Sequence, residues 1–402
     1  MIRKLLAGAV LAVIGAWLLL WGAAEILERR YAARAWPAGL GSLDEVPKRF
    51  PPTKQSAGAT KLVQLAAAAR INLDPAKRAE GGRPVRRKEG GRDVRPPHLE
   101  LLGDYQRAQL ERSADAIDPL PPAVAESFAK NDAALNAIRD HLLSGATIAW
   151  ESDVTRGFEA PTPNLLGHMF LQRMLIARAL EKARNNDPAS WNELRASWEL
   201  SRGLWSRSDL MSILIALSST RMSNAAARKL PLPAPAWFAE QQTFDVRRAM
   251  AAAQQADGWA IAHYEVPKIP TLEHIRMFAL GPWHKWSGAS GIEVMRGYNA
   301  EALRAGACDV DSTQYAKVRA RLWTYMPELT LPNLTEAWRR TLRYRAEAEA
   351  TERVLQLRAG ETPSAKSMCS DGTWEVTATS MKFTRHVKVE PPGIKYPLEY
   401  AR

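Results

Sequence analysis

Two groups of residues have the types needed for catalysis or metal binding. Glu151, Asp153 and His168 supply an acid, a base and an orienting group in principle. Nothing in their spacing forces them together, and carboxylate pairs are common in a chain with 43 Asp and Glu. The second group is His263, His274 and His284, the last inside Trp283-His284-Lys285-Trp286. Zinc needs three or four convergent ligands, and no carboxylate–histidine pair here has a ligand spacing. Histidines at helix ends beside buried tryptophans explain the stretch better, so neither a metal nor a cofactor is expected. The phosphate-loop, dinucleotide, zinc-protease and nucleophile-elbow motifs are missing. The sequence favours a non-enzymatic protein and leaves an enzyme lacking any recognised motif as an alternative.

Cys308 and Cys369 are the two thiols, 61 positions apart and outside any C-x-x-C pair. In an oxidising compartment an even pair invites a disulfide, which would tie the tail to the body. Tryptophan is abundant, with 14 residues, and Trp191, Trp198 and Trp205 fall on one face of a helix. Such a stripe is usually core; the alternative is a groove for an apolar ligand or lipid. The stretch 77–95 is rich in Lys and Arg and can meet anionic lipid headgroups. It lacks stacking aromatics, so nucleic acid is a poor partner.

The elements that position these residues begin with Leu5 to Ala24, twenty residues without a charge or a proline. As a helix they span about 30 Å, the thickness of a bilayer's hydrocarbon core. Trp17 and Trp21 lie toward the far end, where indoles favour the lipid interface. Gly22-Ala23-Ala24 would suit signal cleavage, but signal cores usually run about 7–15 residues, so an uncleaved anchor through residues 5–24 is favoured. Arg3 and Lys4 precede the span and Arg29, Arg30 and Arg34 follow it, a near tie in positive charge. The very short N-terminal tail favours the larger part of the chain on the outer side.

Behind the span, 46% hydrophobic content and few cysteines exclude a disordered chain and a disulfide scaffold, and the net charge of +12 points to anionic surfaces. Residues 1–36 read as the anchor helix and its extension. Residues 37–98 read as a linker of Pro, Gly and Ser, with a short helix and the flexible basic loop. Residues 99–360 read as an irregular antiparallel helical domain. Its expected helices cover 99–116, 121–143, a run capped by Asn164, a Trp-bearing helix opened by Asp187-Pro188, and a helix capped by Ser208 or Asp209. Further helices are expected at 243–263, 271–280, 286–305, 312–325 and 334–358. Residues 361–402 form a small antiparallel β element packed on that domain, with strands expected near 373–379, 383–389 and 396–400. The fold class is therefore mainly α.

The segments PTPNLLGHMFLQRMLIARALEKAR and LIALSSTRMSNAAARKLPLPAPAW, with the Trp-bearing helix between them, resemble an uncharacterised family of bacterial membrane-anchored helical proteins with no assigned activity. The likeness covers about residues 1–260 and is one of layout. It implies a bacterial envelope setting; with the orientation read above, the expectation is a single pass through the inner membrane, a periplasmic body and an envelope protein as partner. It supplies no functional residue.

Overall fold

Several helix starts in this chain are capped by a single side chain. Asn164 Oδ1 accepts from Gly167 N at 3.1 Å, Asp209 Oδ1 from Ser212 N at 2.8 Å and Asp245 Oδ1 from Arg248 N at 3.1 Å. Asp187 Oδ1 accepts from Ala189 N at 2.8 Å in the turn before the Trp-bearing helix. The computed structural model describes residues 2–74, 97–263, 279–310, 326–385 and 395–401.

The helices are α1 (Ile2–Ala32), α2 (Val46–Arg49), α3 (Ala57–Ala68), α4 (Pro97–Leu110), α5 (Pro122–Leu143), α6 (Leu165–Arg184), α7 (Ser190–Trp205), α8 (Leu210–Ala227), α9 (Trp237–Thr243), α10 (Val246–Ala262), α11 (Gly281–Ala302) and α12 (Met326–Arg358). The chain is mainly α, 65% helical. The expected helix at 312–325 lies outside the described residues, as does nearly all of 271–280.

Helices α6 and α7 run antiparallel, since Gln172 bonds Ser201 near one end and Lys182 bonds Glu193 near the other. Helices α8 and α12 run parallel, through Arg221–Glu347 and Asn224–Thr351. Leu171, Leu175, Leu180, Leu194, Leu204 and Ile213 fill the core between α6, α7 and α8. At Gly167 a Cβ would come within 1.9 Å of the Asn72 carbonyl, so only glycine allows α6 to pass the chain there.

The linker expectation is corrected. Residues 37–74 do not form a linker: Leu40, Leu43, Val46, Leu62 and Leu73 belong to the main core, next to Trp36. The amide of Gln255 on α10 donates to the carbonyls of Leu40 and Gly41 at 3.1 Å and of Ser42 at 3.0 Å. The glycines read as flexibility are turns, Gly39 at φ 68° and Gly41 at φ 66°. Apolar residues scattered between turns show no helical or strand period, so the sequence pattern hides their burial. The basic stretch 77–95 lies outside the described residues.

At the C-terminus, β1 (Trp374–Val376), β2 (Ser380–Phe383) and β3 (Glu399–Ala401) form an antiparallel sheet in that order. Trp374 pairs with Phe383 and Met381 with Tyr400. Their side chains form a second core with Ala350, Val354 and Leu357 of α12 and both cysteines. The strands are shorter than expected, and β2 begins three residues early. Thr377 closes the turn by accepting from Ser380 N at 2.9 Å, and this places Met381 and Phe383 inward. Of the expected strand 383–389, residues 386–389 lie outside the described residues.

Candidate functional site at the seam of α1 and α11

Helix α1 is one helix long and apolar enough to cross a membrane, a property it shares with signal sequences. Leu11, Val13 and Leu19 on it are 69%, 69% and 77% exposed, whereas Ala24 is fully buried. Leu5 lies within the same helix. Much of the expected span is therefore exposed, while its far end, from Trp17 to Ala24, and the turns beyond it pack on the protein along one side.

That far end packs along α11, the two helices running parallel. Trp17 Nε1 donates to the Ala279 carbonyl at 3.0 Å. Trp21 lies against Gly281, and its ring centroid is 5.1 Å from that of Trp17. Higher up, Lys285 Nζ donates to Glu28 Oε2 at 2.9 Å and also to Glu25. Arg34 Nη1 donates to Glu293 Oε1 at 3.0 Å, and Arg296 holds the same carboxylate. These pairs are half-exposed, so each contributes about 0–1 kcal/mol and serves mainly to fix register. The tight fit at Gly281 and the burial of Ala24 carry more of the docking.

Cys308, just beyond α11, is joined by a disulfide to Cys369, just before β1, with the Cα atoms 5.5 Å apart. Both lie in the second core. The bond thus clips the tail to the end of the helix that packs on α1.

The Trp-lined groove is not present, and the three rings are core. Trp191, Trp198 and Trp205 are 5%, 2% and 6% exposed. Trp191 Nε1 donates to the Pro231 carbonyl at 2.7 Å, and its ring meets Trp237 and Phe238 edge-on. Trp198 and Trp205 both pack on Phe244. The covering residues come from α9 and its flanks, a seven-residue helix with too few turns to show a period. An open depression of about 800 Å³ does lie beside α6, lined by Ile71, Glu126, Lys130, Leu166, Phe170 and Met174. None of the three tryptophans lines it.

The acid–base candidates have separate tasks. The Glu151 carbonyl accepts from Arg207 Nη1 at 2.7 Å. The Asp153 carboxylate accepts from Thr155 N at 3.0 Å and caps a short turn. His168 is fully buried, its ring edge-on to Trp150 with centroids 4.7 Å apart. Burial, helped by the Arg207 charge, pushes its pKa down to about 3, so it is a neutral core residue. No hydrogen bond or ion pair joins any two of the three. His263 stacks on Trp259, its ring centroid 4.2 Å away, and His284 lies beside Trp283. His274 falls outside the described residues. Among the described residues, no group of three or more His, Cys, Asp or Glu converges.

Two buried ionic clusters escaped the sequence reading. Glu193 Oε1, fully buried on α7, lies 2.6 Å from Lys182, 3.2 Å from Arg139 and 3.3 Å from Arg178. Glu347 on α12 receives Arg221 from α8 at 2.7 Å and Arg343 at 3.2 Å. Burial alone would lower the Arg221 pKa; the charge and hydrogen bonds of Glu347 outweigh it and raise it. The i, i+4 spacings Arg178–Lys182 and Arg343–Glu347 are visible in sequence, but the partners across helices are not. These clusters bolt α5, α6 and α7 together, and α8 to α12.

Compared with protein-family models, curated proteins and solved structures, the chain matches none. The site geometry therefore stands by itself.

Proposed function

We propose that this is a single-pass protein of the bacterial inner membrane, anchored through residues 5–24, whose helical body stands on the periplasmic side and binds or scaffolds another envelope protein. The observation that carries the anchor is the docking of α1: Trp17 bonds Ala279 just before α11, Trp21, Glu25, Glu28 and Arg34 engage α11 itself or its first residue, and Ala24 is buried. Cleavage at Ala24 would strip Trp17 and Trp21 from α11 and bare Gly281. The Cys308–Cys369 bond supports an oxidising compartment for the body. Two of the three acid–base candidates serve the fold instead, the Asp153 carboxylate as a turn cap and His168 in the core.

The test uses membranes from cells making the full chain. The protein should stay in the pellet after an alkaline wash, with Met1 or Ile2 as its first residue by mass spectrometry. Added protease should digest the body in spheroplasts, and cross-linking in intact cells should give one discrete species containing a second protein. A soluble chain beginning at Glu25 would overturn the anchor. A body protected from protease would overturn the orientation, and a monomer under all cross-linking conditions would overturn the scaffolding role.

A further inference from the structure

We propose that the first two turns of α11 form a second membrane contact: Leu280, Trp283 and Trp286 seat in the interfacial layer of the leaflet from which α1 emerges. This inference rests on reading α1 as a bilayer span.

The three residues are spaced i, i+3, i+6, which places them on one stripe of the helix. They are 37%, 36% and 39% exposed, three large apolar side chains at the start of the helix.

What covers it follows from height along α1. Trp17 is seven residues before Ala24, so it lies about 10 Å below the end of the span at 1.5 Å per residue. The Ala279 carbonyl is hydrogen-bonded to Trp17 and therefore lies at that depth. Gly281 packs on Trp21, about 5 Å below the boundary. Because α11 rises parallel to α1, Trp286 stands about 7 Å above Gly281, close to the boundary itself. The headgroup layer on each side of a bilayer is about 5–8 Å thick. The stripe thus crosses from acyl chains to headgroups, the zone where indole rings, apolar with one polar N–H, partition. Lys285 lies between the two tryptophans in sequence, and its ammonium is turned to Glu25 and Glu28 at headgroup height. A protein partner would have to reach the stripe through lipid, whereas the bilayer is already there.

The full chain is placed in nanodiscs of phosphatidylcholine brominated near the carbonyl end of its acyl chains, and tryptophan quenching is compared with unbrominated lipid. Three proteins are measured: wild type, Trp17→Phe/Trp21→Phe and Trp283→Phe/Trp286→Phe. Each pair should remove about half of the bromine-dependent quenching, since the four rings share the lipid-facing zone. A single cooperative thermal transition shows that the Phe variants are folded. If the second pair fails to fold, Trp283→Tyr/Trp286→Tyr replaces it with the same expected loss. If the chain resists the alkaline wash and the first pair loses quenching but the second does not, the lipid contact of α11 is overturned while the anchor stands. Two chains per disc with the second pair unquenched would likewise overturn it, assigning the stripe to a second copy. If the wash releases the chain and neither pair is quenched, the anchor reading fails and takes this inference with it.

Discussion

Trp21 covers Gly281 so closely that a Cβ built on the glycine would stand 2.3 Å from the indole Cζ3. The ring cannot give way without disturbing Trp17, its neighbour at 5.1 Å. Gly281→Ala should therefore lift the start of α11 off α1 and lower stability by about 1–3 kcal/mol, as overpacking does. The thermal midpoint of the detergent-solubilised chain reads this, while membrane retention stays unchanged. A wild-type midpoint would show that the two helices are not in register at this level.

Trp198→Ala should cost about 3–5 kcal/mol, because the ring is buried against Phe244 and the cavity it leaves is closed. A urea midpoint close to wild type would contradict a core role for this ring.

Glu193→Ala leaves Arg139, Arg178 and Lys182 facing one another with no buried counter-charge. Removing one partner of a buried ion pair costs about 3–5 kcal/mol. Glu126, exposed beside Lys130, is the matched control, and Glu126→Ala should leave the midpoint near wild type. Equal midpoints for the two variants would show that the cluster is solvated.

His168 gives the fold a dependence on acid. Its folded pKa of about 3 lies below the unfolded value near 6.5, so the unfolded chain binds the proton first. The stability that follows from the neutral ring is fully present above pH 6.5 and is lost as the pH falls toward 3. The loss is about 1.4 kcal/mol per pH unit in that window. His168→Leu should flatten this slope whatever it does to stability at neutral pH. Identical slopes in urea titrations at several pH values would show that water reaches the imidazole.

Reducing the Cys308–Cys369 bond should lower stability by about 4 kcal/mol, the chain-entropy value for a loop of 61 residues. Thiol labelling of the denatured chain should find no reactive thiol before reduction and two after it. Two labels without reductant would place the cysteines in a reducing compartment.

What the sequence made legible was local. The caps are single-residue chemistry: Asn164 closes the turn it was expected to close, and of Ser208 and Asp209 it is Asp209 that caps the next helix. The Trp191–Trp198–Trp205 stripe follows from helical period alone, yet the period is silent on whether the stripe meets solvent or another element. Here the cover is Phe238 and Phe244, outside the helix that carries the stripe. The packed stretch from Trp36 to Leu73 was hidden because turns interrupt it before any period repeats. The contacts of Trp17 with Ala279 and Arg34 with Glu293 join positions about 260 residues apart, and nothing near either partner marks the pairing.

The parallel seam between α1 and α11 also has a mechanical meaning. A domain on a loose tether swivels and samples a hemisphere above the membrane, meeting partners from any azimuth. Here the strut is α1, one unbroken helix from Ile2 to Ala32, with the chain held along its side from Trp17 to Arg34. Rotation about the strut would tear Lys285 from Glu25 and Glu28 and Arg34 from Glu293. With α1 in the bilayer, any tilt of the strut is passed to the whole body as torque. Every surface patch, the depression beside Phe170 included, then keeps one height and one heading relative to the lipid plane.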